Sequence, residues 1–150
     1  MQLLLDTGEP WIEIRDGDPR ARLLYNRHYS RRVYADGRDP KKIIGPGEYM
    51  LLVTQSIDAI FAWRKFFDKS GQVGVNCALF RNEGPLLSSM LIRAADALAF
   101  ARWPGQRHYT YVSPRSVRST NPGYCFQRAG WSKCGTTIGG LVILAHAPLE

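Results

Sequence analysis

The sequence predicts a mixed α/β fold, packed as a single domain over residues 1–150, and three observations predict it. Short apolar runs bounded by Gly, Pro, Asn and Asp recur along the chain. One longer stretch, 86–100, carries a helical apolar period. The elements follow the order strand, strand, strand, helix, strand, helix, strand, which belongs to a mixed sheet with helices packed on it. With 45% apolar and 11% aromatic residues in 150, the chain can bury one sizeable core.

Leu3–Leu5 and the alternating Trp11-Ile12-Glu13-Ile14 are the first strand candidates. Residues 15–42 are polar, basic and turn-rich, with turn signals at Asp16-Gly17-Asp18-Pro19 and Asp36-Gly37. A short helix is expected near Pro19 to Tyr25, inside what otherwise reads as a long loop. Loops of that length in small domains are usually functional or disordered. Tyr25, His28, Tyr29 and Tyr34 argue for function. After the Gly45-Pro46-Gly47 turn, Tyr49–Thr54 and Ala59–Lys65 read as two strands joined by Gln55–Asp58. Gly74–Phe80 reads as a third strand, and Asn82-Glu83-Gly84-Pro85 as the turn after it.

Leu86–Phe100 is the strongest helix, with Leu87, Leu91, Ala94, Ala95 and Leu98 on one face. Trp103-Pro104-Gly105 stops it. His108–Val112 reads as a strand. Asn121-Pro122-Gly123 opens a short helix, Tyr124–Ala129, with Pro122 near its first turn and Gly130 closing it. Leu141–Leu144 is the last strand. The strands on either side of the long helix are expected to be parallel neighbours, because the crossover between them is right-handed. Ligands often bind outside the carboxyl ends of such strands.

The formal net charge is +7 and unevenly placed. Residues 15–42 carry nine Lys or Arg against four Asp, and residues 93–133 carry seven against Asp96 alone, while 43–92 is balanced. Two basic segments around a neutral core suit a polyanion, with nucleic acid the expected partner. The first residues, Met1-Gln2-Leu3-Leu4-Leu5-Asp6, carry no secretory pattern, and no run approaches the about 18 apolar residues of a membrane span. The chain is therefore expected to be cytoplasmic, without a membrane partner. Cys77, Cys125 and Cys134 have no metal-type spacing and read as reduced thiols.

The run Val75–Phe80, Arg81-Asn82-Glu83-Gly84, Leu86–Phe100, then Asn121–Trp131, then Leu141–Leu144 resembles the second half of the GNAT acyltransferase fold. In that family the turn after the first strand is an Arg/Gln-x-x-Gly-x-Gly/Ala loop. Its amides, at a helix N-terminus, bind the pyrophosphate of acetyl-CoA. The resemblance implies Asn76, Arg81, Gly84, Ser88 and Ser89 as the donor-binding residues. Here Leu86 replaces the second Gly/Ala and Pro85 removes a donor, which argues against acyl-CoA. The family's general-acid Tyr falls at Phe126, with Tyr124 two residues before it.

A narrower resemblance, to the Mom-like phage DNA-modification family, is carried by Asn26–Arg32, Gly45-Pro46-Gly47-Glu48, Phe61-Ala62-Trp63-Arg64, Gly74–Gly84 and Asn121–Phe126. It implies conversion of DNA adenine to an N6-carbamoylmethyl form from a small-molecule donor, shielding phage DNA from restriction in a bacterial host. It leaves the cofactor open, iron among the options, with His28 and Tyr29 as the ligand candidates. His28, Tyr29, Ser30 and Tyr124 are then the catalytic candidates, His28 because imidazole titrates near neutrality. An adenine N6 lies inside the duplex, so the base must be extruded. Trp63, Tyr109, Tyr111 and Ser113 are the candidates to receive it. Arg31, Arg32, Arg38, Lys41, Lys42, Arg115, Arg118 and Arg128 are the phosphate-contact candidates. Two other readings stay open at this point: a conventional GNAT N-acetyltransferase for a protein or small-molecule amine, and a non-catalytic DNA-binding module.

Overall fold

A computed structural model describes residues 9–26, 42–115 and 121–148. His28, Tyr29, Ser30, Arg31, Arg32, Arg38, Lys41, Arg118 and the expected Leu3–Leu5 strand lie outside the described residues. The chain runs β1 (Trp11–Ile14), α1 (Pro19–Tyr25), β2 (Glu48–Thr54), β3 (Ala59–Lys65), β4 (Val75–Asn82), α2 (Ser88–Arg102), β5 (His108–Val112), α3 (Tyr124–Arg128), β6 (Ser132–Thr136) and β7 (Val142–His146). It is a mixed α/β protein with one seven-stranded sheet, ordered β1-β2-β3-β4-β5-β7-β6. Every neighbouring pair is antiparallel except β4 and β5, which are parallel on either side of α2, as the crossover rule requires. No helix among the described residues is long and apolar enough to cross a membrane.

Period-2 alternation divides the strands between two cores. Trp11, Met50, Leu52, Phe61, Trp63 and Val75 face α2, meeting Leu91, Ile92, Ala95 and Ala99. Ile14, Leu51, Val53, Ile60 and Ala62 face the other way, under Ala21, Leu24 and Tyr25 of α1. Two indoles tie α2 to the sheet. Trp11 Nε1 donates to the Leu91 carbonyl at 2.9 Å, and Trp63 Nε1 to that of Ala95 at 3.1 Å.

Three local expectations change. The buried stripe of α2 is Leu91, Ile92, Ala95, Asp96 and Ala99, one residue off the expected face, and Leu87 is an exposed N-cap. The strand β6 was not legible, because Ser132-Lys133-Cys134-Gly135-Thr136 is exposed throughout and has no apolar alternation. It forms as an edge strand on β7. Pro122 lies outside α3, whose N-cap is Gly123. Gly123 has φ +82°, and a Cβ there would run into the Leu144 side chain, so glycine is required on both counts.

The pairing of β3 with β4 contains a bulge. Ala62 faces Leu79 and Trp63 faces Cys77, leaving Ala78 as the extra residue. The bulge reverses the alternation: Val75, Cys77 and Phe80 face α2, while Leu79 falls into the opposite core. Ala78 itself is exposed.

Candidate functional site

The bulge lies where the sheet opens. The strands β4 and β5 pair only over Val75–His108, Asn76–Tyr109 and Cys77–Thr110, although β4 continues to Asn82 and β5 to Val112. The last rung is closed by Thr110 Oγ1, which donates to the Cys77 carbonyl at 2.9 Å. Beyond it the strands diverge around a cleft of about 340 Å³. Ala78, Leu79 and Phe80 form one wall, Tyr111, Val112 and Ser113 the other, and Gly123, Cys125, Phe126 and Leu141 close the end. Parallel edges without a strand partner present backbone N–H and C=O groups inward, and such groups seek hydrogen bonds. The cleft thus suits a slender ligand with an apolar body and amide-like polar atoms.

A second hollow, about 200 Å³, lies between α1 and the sheet. Tyr25, Ile43, Ile44, Gly45, Ala62 and Arg64 line it, together with Ala78 and Leu79. The two cavities therefore share the bulge residues. A group held in the cleft and another held in the hollow meet across one point of β4.

Of the expected donor-binding residues, Asn76 lies in the cleft wall, buried, with Nδ2 donating to the Tyr109 carbonyl at 3.4 Å. The loop after β4 is less receptive to phosphate than its sequence suggests. Arg81 is paired with Glu83 at 2.5 Å. The Gly84 amide is bonded to Asn82 Oδ1 at 3.0 Å, and that of Glu83 to the Asp58 carbonyl at 2.6 Å. Gly84 packs directly on the Asp58 carboxylate, so a side chain would not fit. Ser88 Oγ accepts from Asn82 Nδ2 at 3.0 Å. Ser89 is half-buried in the first turn of α2, whose N-cap makes no side-chain hydrogen bond. Two carboxylates beside the loop oppose a pyrophosphate.

The base-pocket candidates separate. Trp63 is fully buried under α2 and cannot stack on a base, which corrects that expectation. Tyr109 is equally buried, its hydroxyl bonded to Asp68 in the loop before β4. Tyr111 and Ser113 do line the cleft. Tyr109 and Tyr111 share a face, as their spacing requires, and donate to Asp68 Oδ2 at 2.7 and 2.8 Å. Ser70 Oγ adds a third bond to this carboxylate at 2.5 Å. Burial pushes the Asp68 carboxyl up, but these hydrogen bonds outweigh it and hold it below the ordinary carboxylate value. Burial, with the Asp68 charge, raises both phenols, so they serve as hydrogen-bond donors.

Tyr124 is exposed at the start of α3, and its neighbour Cys125 lines the cleft instead. Cys77 is also in the lining, and burial raises both thiols. Neither is a thiolate nucleophile at neutral pH. Among the phosphate-contact candidates, Lys42, Arg115 and Arg128 are exposed. Lys42 adjoins Ile43 of the second hollow, and Arg115 follows Ser113 of the cleft by two residues. No three His, Cys, Asp or Glu side chains converge among the described residues, and the ligand candidates His28 and Tyr29 lie outside them.

Sequence reasoning overlooked one buried polar unit. His108 Nδ1 donates to Asp96 Oδ1 at 2.7 Å, and Trp131 Nε1 donates to Asp96 Oδ2 at 2.9 Å. His108 is stacked on Phe100 with centroids 3.8 Å apart, and its Nε2 has no partner among the described residues. Burial pushes the His108 imidazole below its ordinary value, against the pull of Asp96. The signal was present in the sequence: Asp96 is the one acid on the apolar face of α2. The unit joins α2 to β5 and to the chain leaving α3, and of these β5 lines the cleft with Thr110, Tyr111 and Val112.

No protein-family model matches this chain, and neither a curated protein nor a solved structure is significantly similar to it.

Proposed function

We propose that this protein is a group-transfer enzyme of GNAT-like architecture that modifies adenine in double-stranded DNA, as in the Mom-like family. The observation that carries the reading is the junction at Ala78. A parallel strand pair separates after three rungs, a cleft opens between the strands, and a hollow on the opposite face meets it at the bulge. Such a junction brings a donor and an amine acceptor together from two sides, and proximity of that kind supplies much of a two-substrate enzyme's rate. In this reading Asn76, Thr110 and Ser113 orient the donor in the cleft, and the amine enters through the hollow.

The donor is a small molecule rather than one anchored by a pyrophosphate. Arg81 is already paired, and Asp58 and Glu83 flank the loop that would hold the phosphates. Adenine as acceptor rests on the sequence: the +7 charge and the Mom-like segments. Its N6 reaches the hollow only if the nucleotide turns out of the helix. The proton-handling roles stay with His28 and Tyr29. In the sequence His28 and Tyr29 follow Tyr25, a lining residue of the hollow, by three and four positions.

The test is nucleoside mass analysis of DNA from cells expressing the protein. A new adenine derivative is the expected result, and unmodified deoxyadenosine beside abundant soluble protein refutes the reading. The open cleft by itself also favours a second reading, a conventional N-acetyltransferase. Calorimetry separates the two: tight binding of acetyl-CoA supports the acetyltransferase, and none is expected here.

A further inference from the structure

The exposed Phe67 stands out among the large apolar side chains, at 88% accessible, in the segment that joins β3 to β4. Isolated exposed hydrophobes are common and need no explanation. Phe67 differs because the chain on both sides of it is clamped. Before it, the Arg64 guanidinium lies over the Phe66 ring, 3.6 Å from its centroid, while Arg64 Nε donates to the Pro46 carbonyl at 2.7 Å. After it, Asp68 is held by Tyr109, Tyr111 and the Ser70 hydroxyl and amide. A benzyl group is thus projected into solvent from a fixed base.

Its surroundings select the partner. Lys65 and Lys69 flank it, Lys65 also lying 3.9 Å from Glu48, and the acid beside it, Asp68, is committed to the tyrosines. Open hollows of about 550 and 320 Å³ lie on its two sides. The first shares Arg64 with the hollow beneath α1, which in turn shares Ala78 and Leu79 with the cleft. An apolar wedge flanked by lysines suits neither a lipid core nor a neutral protein surface as well as it suits stacked bases between two phosphate chains. Proteins that unstack DNA use this combination, inserting a Phe, Leu or Met between base steps while Lys and Arg hold the backbone.

We propose that Phe67 is an intercalating wedge that enters the duplex next to the target adenine and fills the space left as that base turns toward the junction at Ala78. This inference rests on the DNA reading of the preceding section. Tyr111 links the two places, since its hydroxyl helps to clamp Asp68 while the residue also lines the cleft.

The experiment uses short duplexes with 2-aminopurine replacing adenine at successive positions, titrated with the full-length protein at low salt. Wild-type protein is expected to bind and to raise the emission several-fold at one or more positions, because unstacking relieves quenching. Phe67→Ala is expected to bind about tenfold more weakly, within the range that stacking of an aromatic side chain on a base provides. It should give no rise in emission even at saturation, and Phe67→Leu should restore the rise. Position 67 is exposed, so neither variant threatens the fold. Wild-type binding with an equal emission rise from Phe67→Ala, or with no rise in either protein, overturns the wedge and leaves the DNA reading standing. Wild-type protein that fails to bind any duplex overturns both. Phe67-dependent binding to neutral phosphatidylcholine vesicles, with DNA behaviour unchanged by Phe67→Ala, assigns the residue to a membrane contact and overturns the proposal.

Discussion

Replacing Asp96 by alanine tests whether the buried polar unit ties α2 to β5 and to the chain leaving α3. The carboxylate accepts from His108 at 2.7 Å and from Trp131 at 2.9 Å, and its side chain is 7% exposed. Hydrogen bonds to a charged group contribute about 1.5–3 kcal/mol each. Removing the acceptor leaves both donors buried without partners. A change of tautomer does not rescue His108, because its Nε2 also has no partner among the described residues. The expected loss for Asp96→Ala is therefore about 3–5 kcal/mol, a large fraction of a typical domain's 5–15 kcal/mol. Asp96→Asn keeps one acceptor oxygen and sets an amide N–H₂ against the other donor, so it should cost about half as much. The assay is equilibrium urea unfolding followed by tryptophan fluorescence, with the slope checked for constancy. A loss under about 1 kcal/mol for the alanine variant, or equal losses for the two variants, refutes the reasoning.

Three further outcomes follow from the same geometry. Burial lowers the folded His108 imidazole below the unfolded value near 6.5, so the unfolded state binds more protons and stability falls as pH drops below about 6.5. Urea midpoints from pH 7 to 5 should show this decline, His108→Asn should flatten it, and a level wild-type profile contradicts it. The lowered carboxyls of Asp18 and Asp68 act only below about pH 4, outside that window. Filling the junction with Ala78→Phe should leave stability within about 0.5 kcal/mol, as at other exposed positions, yet reduce DNA modification at least about tenfold; undiminished activity would place the chemistry elsewhere. Thiol labelling with Ellman's reagent should proceed in the order exposed Cys134, half-buried Cys125 and, only on unfolding, buried Cys77. A cleft ligand should slow Cys125 alone.

Local pattern was enough to reveal most of the strands. Ala59–Lys65 and His108–Val112 have the same bounds in the sequence reading and in the fold, because β-rich apolar runs between turn residues leave few alternatives. The parallel placement of β4 and β5 also followed from the sequence, since a helix between two strands is the usual connection of a parallel pair. The edge strand β6 escaped because it is held by backbone pairing and buries none of its side chains. The helix face was misplaced by one residue because Asp96, counted as polar, in fact points inward.

The chain by itself determined a mixed α/β order, the segregation of its positive charge and the residue types available for chemistry. These properties depend on neighbours a few positions apart. Only the tertiary structure decided that Ala78 is a bulge joining two cavities, that Trp63 and Tyr109 are core rather than base pocket, and that Asp58 and Glu83 occupy the ground of a phosphate. Each of these depends on contacts between residues distant in sequence, where burial and pairing are decided by what the rest of the fold brings alongside.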